Sequence, residues 1–105
     1  MFGDRKFQLA CEDPRHCAKR FGKLASAVQR RLVQLRAAAN LAELALGRPH
    51  PLSGDRAGKF GITISANYRL VIEPADDPIP LAPDGQIDLT RVVVVRALDV
   101  EDYHD

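Results

Sequence analysis

Three short stretches of this chain hold side chains that could move protons or hold charge: His50-Pro51-Leu52-Ser53-Gly54-Asp55-Arg56, Asn67-Tyr68-Arg69 and Asp102-Tyr103-His104. The last is the most telling. Chain ends are usually chemically plain, yet this one puts a carboxylate, a phenol and an imidazole directly after the apolar run Val92 to Leu98. A strand that delivers such a trio to a rim is one way to build a catalytic edge. Each stretch also has a plain structural reading. The terminal residues fit a solvated tail, His50 between two prolines fits a loop, Tyr103 fits a cap on the core, and Arg69 fits an ion pair with Glu73 or Asp102.

The elements that must position these residues can be read from period and punctuation. Asp13-Pro14 is a helix start, with Asp as N-cap and Pro in the first turn. Cys17, Phe21, Leu24, Val28, Leu32, Leu35 and Ala39 then recur at three- and four-residue steps, predicting an amphipathic helix of about six turns, with Gly22 as a possible bend. A shorter helix is expected over residues 5–12, with Phe7, Leu9, Ala10 and Cys11 as core. A further turn is expected over 40–46, stopped by Gly47 and Pro49. The second half alternates. Phe60, Ile62 and Ile64, then Tyr68, Leu70 and Ile72, predict a hairpin turned at Ala66-Asn67. Val92 to Val95 reads as a central strand covered on both faces. Between them, Pro74 to Thr90 reads as a long loop. The start of the chain shows no clear first strand. The expected fold class is α+β, N-terminal helices packed on a small antiparallel sheet.

At 105 residues the chain is expected to form one domain with one core. No apolar stretch is long enough to span a bilayer, and the first residues lead into no signal-peptide core, so a cytoplasmic protein with no membrane partner is expected. The net charge of +1 hides an asymmetry: residues 1–60 sum to +7 and residues 61–105 to −6. That split implies a basic side suited to phosphates and an acidic one. Lys19, Lys23 and Arg30, like Arg15, fall off the apolar helical stripe. Cys11 and Cys17 match neither a C-x-x-C motif nor a zinc pair. Cys17 is expected in the core, a disulfide is not expected, and no metal or other cofactor is assigned; Cys11, His16 and Cys17 are the alternative ligand set.

Together, HPLSGDRAGKFGITISANYRL and the later VEDYH resemble the HigB-type branch of the RelE/ParE superfamily, the toxic halves of bacterial type II toxin–antitoxin pairs. The likeness covers residues 49–104 apart from the proline-rich loop, and the helical half in outline through RRLVQLRAAANLAEL. It implies a RelE/ParE-like domain and a metal-free, ribosome-dependent endoribonuclease that cuts mRNA in the A site. In that chemistry the ribose 2′-hydroxyl attacks the adjacent phosphate. A base takes its proton, an acid protonates the leaving 5′ oxygen, and cations offset charge in the transition state. The resemblance assigns the site to His50, Arg69, Asp102, Tyr103 and His104. Arg69 is assigned to the phosphate, the histidines to acid/base work and alignment, Tyr103 to stacking or hydrogen bonding with the mRNA, and Asp102 to orienting the site. Arg56, Lys59, Lys19, Lys23 and Arg30 are the expected RNA-binding cations. The implied partners are the ribosome and mRNA, a helix-turn-helix antitoxin, and operator DNA through the antitoxin complex.

One position departs from the family pattern. Ser53 stands where members often carry lysine, and serine supplies no cation. One lost charge-assisted contact to a transition state costs about 2–4 kcal/mol, which implies weakened activity unless Arg56 or Lys59 compensates. Two other readings fit the same residues: a gyrase inhibitor of the ParE type, and a degenerate toxin that survives as an antitoxin-binding or operator-binding partner.

Overall fold

Aspartates start the first two helices. In the computed structural model, which describes residues 1–44 and 48–102, Asp4 accepts from the Phe7 N–H at 2.7 Å and opens α1, Arg5–Glu12. Asp13 accepts from Arg15 and His16 N–H at 2.9 and 3.2 Å and opens α2, Pro14–Phe21. Gly22, at φ +54°, ends α2 in a backbone conformation that an L side chain rarely adopts. The expected six-turn helix is therefore two. A 3₁₀ turn over Gly22–Leu24 separates α2 from α3, Ala25–Ala37. Asn40 caps another 3₁₀ turn, Leu41–Glu43, where a short helical turn was expected. Residues 45–47, and with them the stop assigned to Gly47, lie outside the described residues.

Among the described residues, four antiparallel strands follow in the order β1-β2-β3-β4: His50–Pro51, Phe60–Thr63, Tyr68–Pro74 and Val95–Asp102. The β2–β3 hairpin is the one read from alternation, with Ile62 opposite Leu70 and Phe60 opposite Ile72. These four residues face the helices and join Phe7, Cys11, Val28 and Leu32 in one core. Cys17 is buried as expected, but Leu9 on α1 is not core: it is 47% exposed.

The valine run is not the expected central strand. Val93 is 68% exposed, and the backbone N–H groups of Val93 and Val94 donate to the Asp76 carboxylate at 3.0 and 3.3 Å. A side chain beyond the end of β3 thus takes two N–H groups of the run, while Val94 O still accepts from Ala75 N–H at 2.8 Å, and residue pairing begins at Val95, opposite Pro74. The resulting β4 lies at the end of the strand order. The chain start runs beside it. Phe2 bridges Ala97 in parallel, with Ala97 N–H donating to Met1 O at 2.9 Å and Gly3 N–H to Ala97 O at 2.7 Å, a stub of strand that composition did not reveal. The loop after β3 has its own order. Leu81 bridges Ile87 around a turn at Gly85, and Ile87 and Leu89 pack on the core. Among the described residues, no helix is long and apolar enough to cross a membrane.

Candidate functional site

Side chains alternate across a strand, so the residues between the core positions of β2, β3 and β4 point away from the helices. Gly61, Thr63, Arg69 and Glu101 lie on that outer face, with Thr63 opposite Arg69 and Arg69 opposite Glu101. Register puts His50 there too, directly opposite Gly61. Directly opposed residues on one face are close enough to interact, and Arg69 pairs with Glu101, which the sequence alternatives Glu73 and Asp102 left out. Its guanidinium takes Glu101 side-on: Nε donates to Oε1 at 2.7 Å and an Nη lies 2.6 Å from the same oxygen. Glu73 is bonded instead to Arg96 at 3.0 Å.

The other carboxylate oxygen is held from the loop. A 3₁₀ turn over Gly54–Arg56 follows Ser53, and the Arg56 guanidinium donates to Glu101 Oε2 at 2.5 Å. One carboxylate thus bridges two guanidinium groups, an arrangement of net charge +1. Burial raises the Glu101 pKa, but hydrogen bonds from Arg56 and then Arg69 outweigh it and hold the carboxyl below its ordinary value of 4.5. The bond to Glu101 in turn raises the pKa of Arg56.

Gly61 leaves room for the arrangement. A Cβ there would lie 2.8 Å from Arg69 Cδ and 3.4 Å from its Nε, so the missing side chain leaves the floor on which Arg69 lies. Leu52 approaches the same point, its Cδ2 3.6 Å from where that Cβ would be.

The residues singled out in the sequence divide into groups. Arg69 and Arg56 meet, and His50 shares their face of the sheet. His50 belongs to a short strand and not to a simple loop. Lys59 is half-buried just before β2, and Ser53 is exposed. Asp102 pairs with Tyr68, and Tyr68 packs against the core, so alternation assigns Asp102 to the helix side of the sheet and not to Arg69's side. Lys19, Lys23 and Arg30 are exposed on the helical layer, across the sheet from the Arg56–Glu101–Arg69 cluster. Tyr103 and His104 lie outside the described residues.

Glu101 is the residue that sequence reasoning passed over. It stood beside the terminal trio and was given no role. The signal was available in the alternation of two neighbouring strands, but it needed the β3–β4 register to be read.

The cysteines form no comparable site. His16 turns to Asp13, 3.2 Å away, while Cys11 and Cys17 are buried with free thiols. Burial pushes the Cys11 thiol up to about 12, so it is a protonated core group. Among the described residues, no group of three His, Cys, Asp or Glu is placed to hold a metal ion.

Comparison with models of known protein families and with curated proteins finds no match for this chain.

Proposed function

We propose that this protein is a RelE/ParE-like toxin of the HigB type, a ribosome-dependent endoribonuclease that cuts mRNA without a metal. The observation that carries the reading is the meeting of Arg56 and Arg69 on the solvent side of the sheet, with His50 on the same face. Two guanidinium groups that converge on one pair of oxygens suit the non-bridging oxygens of a phosphodiester. In this reading they stabilise the charge that builds on phosphorus when the 2′-hydroxyl attacks. His50 and His104 exchange protons with the 2′-oxygen and the leaving 5′-oxygen, Tyr103 holds a base, and Asp102 orients the end of β4. Arg56 supplies the cation that Ser53 does not. Lys19, Lys23 and Arg30 lie on the helical layer and serve ribosomal RNA phosphates, where each contact adds to affinity and not to the chemical step.

The partners in this reading are the ribosome with its mRNA and a helix-turn-helix antitoxin that silences the toxin and carries it to operator DNA. The protein acts in the cytoplasm. The test is induced expression in bacteria with and without the neighbouring reading frame, with mRNA ends mapped by primer extension. Growth arrest with cuts inside translated frames, relieved by the neighbour, is the expected result. Arrest with intact mRNA and impaired gyrase supports the ParE-type alternative.

A second reading, a non-catalytic partner of antitoxin and operator, draws on one observation: Glu101 already neutralises one of the two cations. Normal growth at full soluble expression would favour it.

A further inference from the structure

Glu101 sits where a substrate phosphate would be expected. Its two oxygens are each bonded by a different guanidinium, Oε1 by Arg69 and Oε2 by Arg56. A carboxylate and the O–P–O edge of a phosphodiester are both flat, singly charged pairs of acceptors, and an arginine fork matches either. The two arginines come from separate elements, β3 and the turn after Ser53, and the carboxylate is the group that joins them. The site is built around this contact, because Gly61 leaves open the floor that Arg69 needs to reach it.

We infer that Glu101 is an internal counter-anion of this site, a positioning residue that holds Arg56 and Arg69 together in the resting protein and gives them up to an incoming RNA phosphate. The inference rests on the reading that the site takes a phosphodiester. It adds that binding is an exchange of one anion for another. The exchange conserves the number of charge-assisted bonds on the two guanidinium groups, and it lowers the affinity of the resting protein for stray phosphate. A substrate held elsewhere by many contacts, as mRNA is on a ribosome, still displaces the carboxylate.

The test is a titration of inorganic phosphate into the full chain and its Glu101→Gln variant at neutral pH. The Arg Nε–H resonances and the Glu side-chain carboxyl ¹³C resonance are followed by NMR, with circular dichroism as a control for fold. Glu101→Gln keeps the size and one acceptor but removes the charge, and phosphate should bind it on the order of tenfold more tightly than the parent. A purely structural role for Glu101 predicts the opposite, because loss of the bridge would loosen both arginines. In the parent, the Glu101 carboxyl resonance should move to its solvated position as phosphate saturates the site, a measurement that needs no variant to fold. Equal or weaker binding by Glu101→Gln, an Arg69 signal that moves while Glu101 stays, or no phosphate binding by either protein overturns the inference. The ribonuclease reading fails separately. If phosphate displaces Glu101 as expected but programmed ribosomes keep their mRNA intact, the counter-anion stands and the nuclease does not.

Discussion

On its helix side the sheet presents Phe60, Ile62, Leu70 and Ile72, all buried against Phe7, Val28 and Leu32. On its other side it presents Thr63, Arg69 and Glu101, with Arg69 and Glu101 keeping 22% and 27% of their side-chain surface in solvent. The hairpin strands β2 and β3 supply residues to both sets, one residue out of step, and β4 adds Glu101. The first face is held by area removed from water, which is insensitive to direction. The second carries the buried Val71, but its polar part is held by Arg56, Arg69 and Glu101, whose value depends on geometry and is weakened by solvent. The difference teaches where to look for each property: stability should follow the inner positions, and any chemistry the outer ones.

Leu70→Ala should show the largest effect on the inner side. Leu70 is 0% exposed, and truncation there should cost about 2–5 kcal/mol in urea unfolding. Arg69→Ala, one residue away, should change stability by about 1 kcal/mol or less but lower mRNA cleavage on programmed ribosomes by about two orders of magnitude. Arg15→Ala, on an exposed part of α2, should leave both nearly unchanged. If Leu70→Ala and Arg69→Ala lower stability alike, the contrast between the faces is wrong. If Arg69→Ala and Arg15→Ala cleave equally, the site is elsewhere.

The inner face was largely legible in the sequence, and the outer one only in pieces. Alternation names Ile62, Leu70 and Ile72 as one set because burial acts on residue type position by position. The outer site depends on which residue of β4 meets Arg69, and a bulge makes that hard to count. Val71 is opposite Asp99 but Ile72 is opposite Ala97, so Leu98 is skipped. Counted on from the Ile72–Ala97 pair without that shift, Arg69 would meet Val100 and not Glu101. The valine run misled for a related reason. Hydrophobicity marks Val92 to Val95 as strand, but the Asp76 carboxylate supplies acceptors that end the ladder at Val95. Gly22 was legible as a bend within one helix, because its backbone freedom is local, but not as the full break between α2 and α3 that its φ of +54° makes.

Arg56→Ala sharpens the comparison at the next level down. It removes a cation that reaches the outer face from a loop, so cleavage should fall about thirtyfold or more with the core untouched. Ser53→Lys should do little in the parent but recover part of that loss in the Arg56→Ala background, as single-turnover cleavage would measure. A large gain from Ser53→Lys alone would mean that Arg56 does not fill the missing charge. Gly61→Ala should be milder still. The new Cβ would meet Arg69 Cδ, part of a flexible side chain that can move aside, so a cleavage loss of a few-fold is expected. Unchanged cleavage, with the Arg69 Nε–H resonance in place, would show that the floor does not matter.

The smallest expected effect separates the faces by pH. Glu101 has a folded pKa held below 4.5 by Arg56 and Arg69, despite the upward push of burial. Unfolded, it binds its proton at higher pH than folded, so its contribution to stability is present above about pH 4.5 and is lost as pH falls through the folded value. The parent should therefore be more stable than Glu101→Gln at neutral pH, by at most about 1 kcal/mol for so exposed a cluster. That gap should close as the solution is acidified below pH 4.5, and it should shrink in high salt. Leu70→Ala carries no charge change, and its deficit relative to the parent should keep the same size across the range. Urea midpoints of the three proteins at a series of pH values provide the measurement. A Glu101→Gln deficit that stays constant down to the acid transition would mean that the carboxylate contributes through shape and not through charge, and the outer face would then obey the same rule as the inner one.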